Sequence, residues 1–144
     1  MTSLPDSIYE YTKDSLEHMV KEGAFPDLIQ VGNEIINGML WPVAKVDPLG
    51  MENWDLFVKL LESGAKACRE ICPKAKIIIH TEKAGEWNKI KTYYNHLWQL
   101  DYDIIGLSYY SMWHKAVGVL AATLDSLAIE FPDKEVMIGE AAAY

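Results

Sequence analysis

Two glutamates stand at the ends of two short apolar runs. Glu34 closes Leu28-Ile29-Gln30-Val31-Gly32-Asn33-Glu34, and Glu140 closes Val136-Met137-Ile138-Gly139-Glu140. Buried parallel strands are rich in Val, Ile and Leu because both faces are covered, so a terminal carboxylate there calls for a reason. In an α/β barrel the carboxyl ends of the strands gather the catalytic groups. Two carboxyls on such a rim suit glycoside hydrolysis. One protonates the leaving oxygen and the other, about 5–5.5 Å away in a retaining enzyme, attacks the anomeric carbon. Their environments must keep one protonated and the other ionised.

Other polar and aromatic residues fall at comparable places. His80 ends Ile77-Ile78-Ile79, where it either lines a site or serves the strand end. Tyr109 and Tyr110 end a third run, and because strand side chains alternate only one of them enters a site. Trp41 and Trp113 lie in loops, placed either to stack on a sugar ring or to pack inward. Glu82 and Glu86 fall in or near a polar loop and read as solvated charges; Glu135 begins its strand, at the end away from Glu140.

The elements that must carry these groups alternate. A helix over 5–23 opens with Pro5 and Asp6 and stops at Gly23. The first strand covers 28–31. Residues 35–51 hold Asn37-Gly38, Trp41-Pro42, Asp47-Pro48 and Leu49-Gly50, the marks of a long functional loop. Asn53 is suited to cap a helix that runs to Ile71 and is ended by Pro73. A strand over 76–80, a helix over 87–100, a strand over 102–110, a helix over 115–131 and a strand over 136–139 complete the order. Alternation of this kind predicts a parallel sheet with right-handed crossovers. All four strand ends then point to one rim.

Composition narrows the class. The chain has 144 residues, half of them hydrophobic, and a net charge of −8. Without a basic run it is unsuited to nucleic acid or an anionic membrane surface. No apolar run approaches the ~20 residues that span a bilayer, and the first residues lack the basic and apolar regions of a signal peptide. Cys68 and Cys72 stand four apart on a helix and read as buried, reduced thiols; no Cys/His spacing suggests zinc.

Gln30-Val31-Gly32-Asn33-Glu34-Ile35, followed by Asn37-Gly38-Met39-Leu40-Trp41-Pro42, resembles the acid/base segment of glycoside hydrolase family 53, the endo-β-1,4-galactanases. Asp103-Ile104-Ile105-Gly106-Leu107-Ser108-Tyr109-Tyr110 with Trp113 resembles that family's sixth strand. Ile77-Ile78-Ile79-His80 is similar to its fifth strand, and Val136 to Glu140 with Ala142, Ala143 and Tyr144 to its seventh. The resemblance implies Glu34 as acid/base, Glu140 as nucleophile and Asn33 on the sugar 2-hydroxyl. It further implies Tyr109 or Tyr110 against the nucleophile, His80 lining the site, and Trp41 and Trp113 as sugar platforms. It implies no cofactor or metal, β-galactan as substrate, and a secreted or periplasmic parent. Ala141 stands where the family has Thr, Ile36 where Gly is common, and His114-Lys115 where a small residue and Gly follow the tryptophan.

The expected fold is therefore α/β: a partial (β/α)8 TIM barrel of four parallel strands alternating with helices, corresponding to strands four to seven. A full barrel needs about 250 residues. An open sheet edge invites self-association. The rival readings are another retaining β-glycanase acting on mannan, xylan or glucan, and an inactive or carbohydrate-binding fragment.

Overall fold

The structure, a computed structural model, describes residues 3–114 and 116–142. Helix α1 (Leu4–Lys21) starts in a capping box: Ser3 Oγ accepts from the Asp6 backbone N–H at 3.3 Å, and Asp6 Oδ2 accepts from Ser3 N–H at 3.2 Å. Strand β1 (Leu28–Gln30) follows. A two-stranded antiparallel hairpin, β2 (Gly38–Met39) and β3 (Ala44–Lys45), comes next. Then α2 (Trp54–Ile71), β4 (Lys76–Thr81), α3 (Trp87–His96), β5 (Ile104–Tyr110), α4 (Val117–Glu130) and β6 (Glu135–Ala142) complete the order.

The main sheet runs β1-β4-β5-β6 with every pair parallel. This is the expected alternating half of a (β/α)8 barrel. Its strands have two dissimilar faces. Ile77, Ile79, Ile105 and Leu107 point to the helices and meet Phe57, Leu61, Tyr93 and Tyr94 in one core, all fully buried. Burying each such side chain contributes about 1.5–3 kcal/mol. Gly64 allows α2 to lie close: a Cβ there would stand 3.0 Å from Val31 Cγ1 and 3.9 Å from Ile8 Cγ2. The opposite face carries Ile78, Ile104 and, nearer the strand ends, the polar residues of the site.

The rim away from those polar ends is tied by charge. Arg69 donates to both carboxylate oxygens of Asp101, at 2.9 and 2.8 Å, to Asp103 Oδ2 at 2.9 Å and to the Ala75 carbonyl at 3.1 Å. Asp103 Oδ2 also accepts the Ile77 N–H at 2.7 Å, which fixes the start of β4 against β5. Lys76 pairs with Glu135, so Glu135 serves this far rim, as its place in the sequence predicts.

Several expectations change. The loop over 35–51 is built rather than irregular, because Gly38 at φ +81° permits the hairpin; a Cβ there would sit 2.1 Å from the Ala44 carbonyl oxygen. Ile35, Ile36, Ala44 and Val46 are buried under it. Asn53 does not cap α2 with its side chain. It sits in the left-handed region at φ 62° and donates from Nδ2 to the Lys45 carbonyl at 2.9 Å, tying the hairpin to the helix. Helix α3 ends at His96, yet Leu97 and Leu100 remain buried in the turns after it. Ile129 is 80% exposed, so it takes no part in the core face of α4. Lys115, the expected start of a helix, and Ala143 and Tyr144, part of the resemblance to the family's seventh strand, lie outside the described residues. Cys68 and Cys72 are free and buried, and burial pushes the Cys68 thiol up to about 11. Among the described residues no helix is long and apolar enough to cross a membrane.

Candidate active site

Glu34 reaches the rim through an insertion between strands. Val31 N–H donates to the Ile78 carbonyl at 3.1 Å, and the next donor to β4 is Ile35 N–H, to the His80 carbonyl at 3.0 Å. Four residues on one chain thus span two on the other. Gly32 to Glu34 stand where a regular ladder has one residue, so two are in excess and the segment is thrown out of the ladder, as in a β-bulge. Gly32 takes φ +82° and Glu34 φ 48° to make this turn. A Cβ on Gly32 would meet Ile35 Cδ1 at 2.8 Å.

Glu140 reaches the same rim by a register shift. Leu107 pairs with Ile138, but Ser108 pairs with Glu140, so Gly139 is the extra residue of β6. Parallel neighbours in register share a face. His80 pairs with Gly106, and Ser108 and Tyr110 follow at two-residue steps. His80, Ser108, Tyr110 and Glu140 therefore lie on one face. Without the shift Glu140 would stand beside Tyr109 on the helix side.

Hydrogen bonds join these groups. Tyr110 Oη donates to Glu140 Oε2 at 2.7 Å. Ser108 Oγ lies 2.9 Å from His80 Nε2, and Asn33 Oδ1 lies 3.3 Å from His80 Nδ1. His80 is fully buried, with Gly139 and Gly106 leaving room for its ring. Burial holds the imidazole below its ordinary range, while Glu140 and Glu34 both pull it upward. Both carboxylates thus act on one ring, from opposite sides of the β4–β5 pair.

Of the two tyrosines only Tyr110 enters the site; Tyr109 is buried in the helix-side core. Trp41 and Trp113 are 58% and 75% exposed, which discards core packing for both. Trp41 is held by its Nε1–H to the Asn37 carbonyl at 2.9 Å, with Lys45 Nζ 4.4 Å from the ring centroid. It borders a groove of about 690 Å³ that also contains Gln30 and Asn33. Trp113 borders a separate cavity of about 410 Å³ with Glu34, Glu82, Lys83, Tyr110 and His114. His114 is buried and accepts the Tyr110 backbone N–H on Nδ1 at 3.0 Å, fixing the turn that presents Trp113.

Glu82 is not the solvated charge expected of a polar loop. It is partly buried in the cavity with Glu34, and among the described residues its Oε2 finds no hydrogen-bond partner. Burial raises its carboxyl above the ordinary range, and Glu34 adds to the rise. The signal lay in the spacing: two residues after His80, it continues that residue's face. Glu86 is spent on an ion pair with Lys89 at 2.7 Å. No group of three or more metal-ligating side chains occurs among the described residues.

The sequence matches Glycosyl hydrolase family 53 over residues 1–144. This chain belongs to that family. The family 53 chain is 30% identical to the probable arabinogalactan endo-β-1,4-galactanase A of Aspergillus flavus, covering 99% of this chain and 41% of that protein. It is 32% identical to an endo-β-1,4-galactanase of Bacillus subtilis, covering 92% of this chain and 29% of that one. Among solved structures it superimposes on a fungal β-1,4-galactanase with a TM-score of 0.85 at 28% identity, over 96% of this chain and 43% of that one. A catalytic domain of the same family from Ignisphaera aggregans gives 0.84 at 30% identity, over 96% and 37%. The family 53 chain thus spans less than half the length of these relatives.

Proposed function

We propose that this chain carries the catalytic carboxylates of a retaining endo-β-1,4-galactanase, with Glu34 as acid/base and Glu140 as nucleophile. The observation that carries the reading is the placement of both carboxylates around His80 at one rim, each delivered there by its own insertion. In the first step Glu140 attacks the anomeric carbon while Glu34 gives its proton to the leaving oxygen. In the second, water loses a proton to Glu34 and displaces Glu140 from the sugar. The Tyr110 hydroxyl donates to Glu140 and aims it. Glu82 lines the same cavity as Glu34, and burial raises the Glu82 carboxyl above its ordinary range. Asn33 meets the 2-hydroxyl, and Trp41 and Trp113 offer exposed faces to sugar rings on either side.

β-1,4-Galactan as the substrate, the arabinogalactan side chains of pectin, follows from the family. A polymer of that size does not cross a membrane, so the site of action is outside the cytoplasm, secreted or periplasmic. The test is reducing-sugar release from galactan, mannan and xylan by the chain and by its Glu140→Gln variant, with the far-ultraviolet circular dichroism of both. The expected result is release from galactan alone, lost by at least about a thousandfold in the variant, with the fold retained. Near wild-type hydrolysis by Glu140→Gln would remove the nucleophile assignment, and release from mannan or xylan instead would move the substrate.

A further inference from the structure

Asn33 sits between Gln30 and His80. Its Oδ1 accepts from Gln30 Nε2 at 3.0 Å and lies 3.3 Å from His80 Nδ1. The other ring nitrogen, Nε2, lies 2.9 Å from Ser108 Oγ. An uncharged imidazole has one N–H, so this chain can run in only two directions. In one, Ser108 O–H donates to Nε2, Nδ1–H donates to Asn33 Oδ1, and the Asn33 NH2 group turns away from both partners. In the other, Nε2–H donates to Ser108, Asn33 gives its own N–H groups to His80 and Gln30, and its oxygen turns outward.

The surroundings separate the two. Asn33 immediately precedes Glu34, and Glu34 and Glu140 are the charged groups that act on His80. A carboxylate rim favours an amide that shows its donors and disfavours one that shows its oxygen. Gly106 and Gly139 flank the ring from β5 and β6 and bring no competing donor or acceptor side chain. Thr81, the next residue of β4, faces away and meets the Tyr94 hydroxyl at 3.1 Å.

We propose that His80 is a positioning residue, locked by Ser108 with its proton on Nδ1, that orients the Asn33 amide so that its NH2 group faces the rim. Asn33 then presents a fixed donor to a sugar hydroxyl oxygen. That last consequence rests on the galactanase reading; the relay of Ser108, His80 and Asn33 does not. The device costs no reorganisation on binding, because Gln30 and His80 occupy both lone pairs of Oδ1 beforehand.

The experiment is long-range 15N–1H correlation spectroscopy on the 144-residue chain labelled at histidine. His80 is assigned as the signal absent from His80→Gln. If that variant does not fold, elimination through His18→Gln, His96→Gln and His114→Gln assigns it instead. The expected result is a single tautomer protonated at Nδ1, unchanged as the pH is lowered through the ordinary histidine range, about 6.5. Ser108→Ala is expected to yield a tautomer mixture and Ser108→Thr to restore the single form. A proton on Nε2, or an unchanged tautomer in Ser108→Ala, overturns the proposal. Galactan cleavage is measured on the same samples. A chain with Nδ1–H that leaves galactan intact keeps the relay and sinks the galactanase reading; a cleaving chain with Nε2–H does the reverse.

Discussion

Three glycines share almost the same backbone angle in different surroundings, which makes a graded test of how the site is built. Gly23, Gly32 and Gly38 have φ of +82°, +82° and +81°. Placing alanine at a left-handed position costs about 1–2 kcal/mol at each. The rest depends on what the new methyl meets. At Gly23 nothing lies within 4 Å, so Gly23→Ala is expected to cost the backbone amount alone, about 1 kcal/mol. At Gly32 the methyl meets Ile35 Cδ1 at 2.8 Å and Cγ2 at 2.9 Å. Ile35 is 4% exposed and has little room to yield, so overpacking adds roughly 1–2 kcal/mol. At Gly38 the obstacle is the Ala44 carbonyl oxygen at 2.1 Å. Backbone must move there, and the cost is expected to pass about 3 kcal/mol with the hairpin opened.

Urea unfolding followed by tryptophan fluorescence measures all three. With a slope near 2 kcal/mol per molar urea, the midpoints are expected to fall by about 0.5, 1.3 and more than 1.5 M in that order. Gly38→Ala should also make the exposed Trp41 more mobile, read as fluorescence anisotropy, because the hairpin fixes the carbonyl that holds its indole. Equal shifts at the three positions would refute the contact argument. A Gly32→Ala shift no larger than that of Gly23→Ala would show that the turn carrying Asn33 and Glu34 is not packed on Ile35.

Two further outcomes are expected. Burial holds His80, His96 and His114 below the ordinary histidine range. The unfolded chain therefore binds protons first, and the contribution to stability is full above about pH 6.5 and is lost as the pH falls from there toward the lowered folded values. Glu82 runs the other way, gaining as the pH falls through its raised value. Urea midpoints are expected to drop between pH 7.5 and about 5.5, and a flat profile would contradict the histidine burial. Strands β1 and β6 each pair on one side among the described residues, and Phe25 before β1 and Leu28 at its start are 73% and 47% exposed. The 144-residue chain is expected to self-associate through these edges in sedimentation velocity; a monodisperse, cooperatively melting monomer would refute this.

The sequence alone determined the alternation of helices and strands. Apolar stretches of strand length, the prolines after α2 and α4, and helical spacing of Phe57, Leu61 and Cys68 are local signals that survive folding unchanged. It also determined the common rim, since parallel strands joined by helices must end on the same side. From that followed the candidacy of Asn33, Glu34, His80 and Glu140. Tertiary structure alone decided the faces. A two-residue strand period predicts side only while the ladder is regular, and the site lies where it is not. The surplus residues before Glu34 and the extra Gly139 before Glu140 change register in a way composition does not show. Between Tyr109 and Tyr110 the period left one choice open, and the pairing of β4 with β5 made it. Glu82 and Asn53 depart from expectation for a related reason. Both are polar residues at element ends, where sequence speaks of solvent and caps, and both are claimed by neighbours outside their own element: the Glu34 cavity for one and the Lys45 carbonyl for the other. Burial of a polar group is set by what packs over it, and that is a property of the assembled sheet and loops rather than of any local stretch.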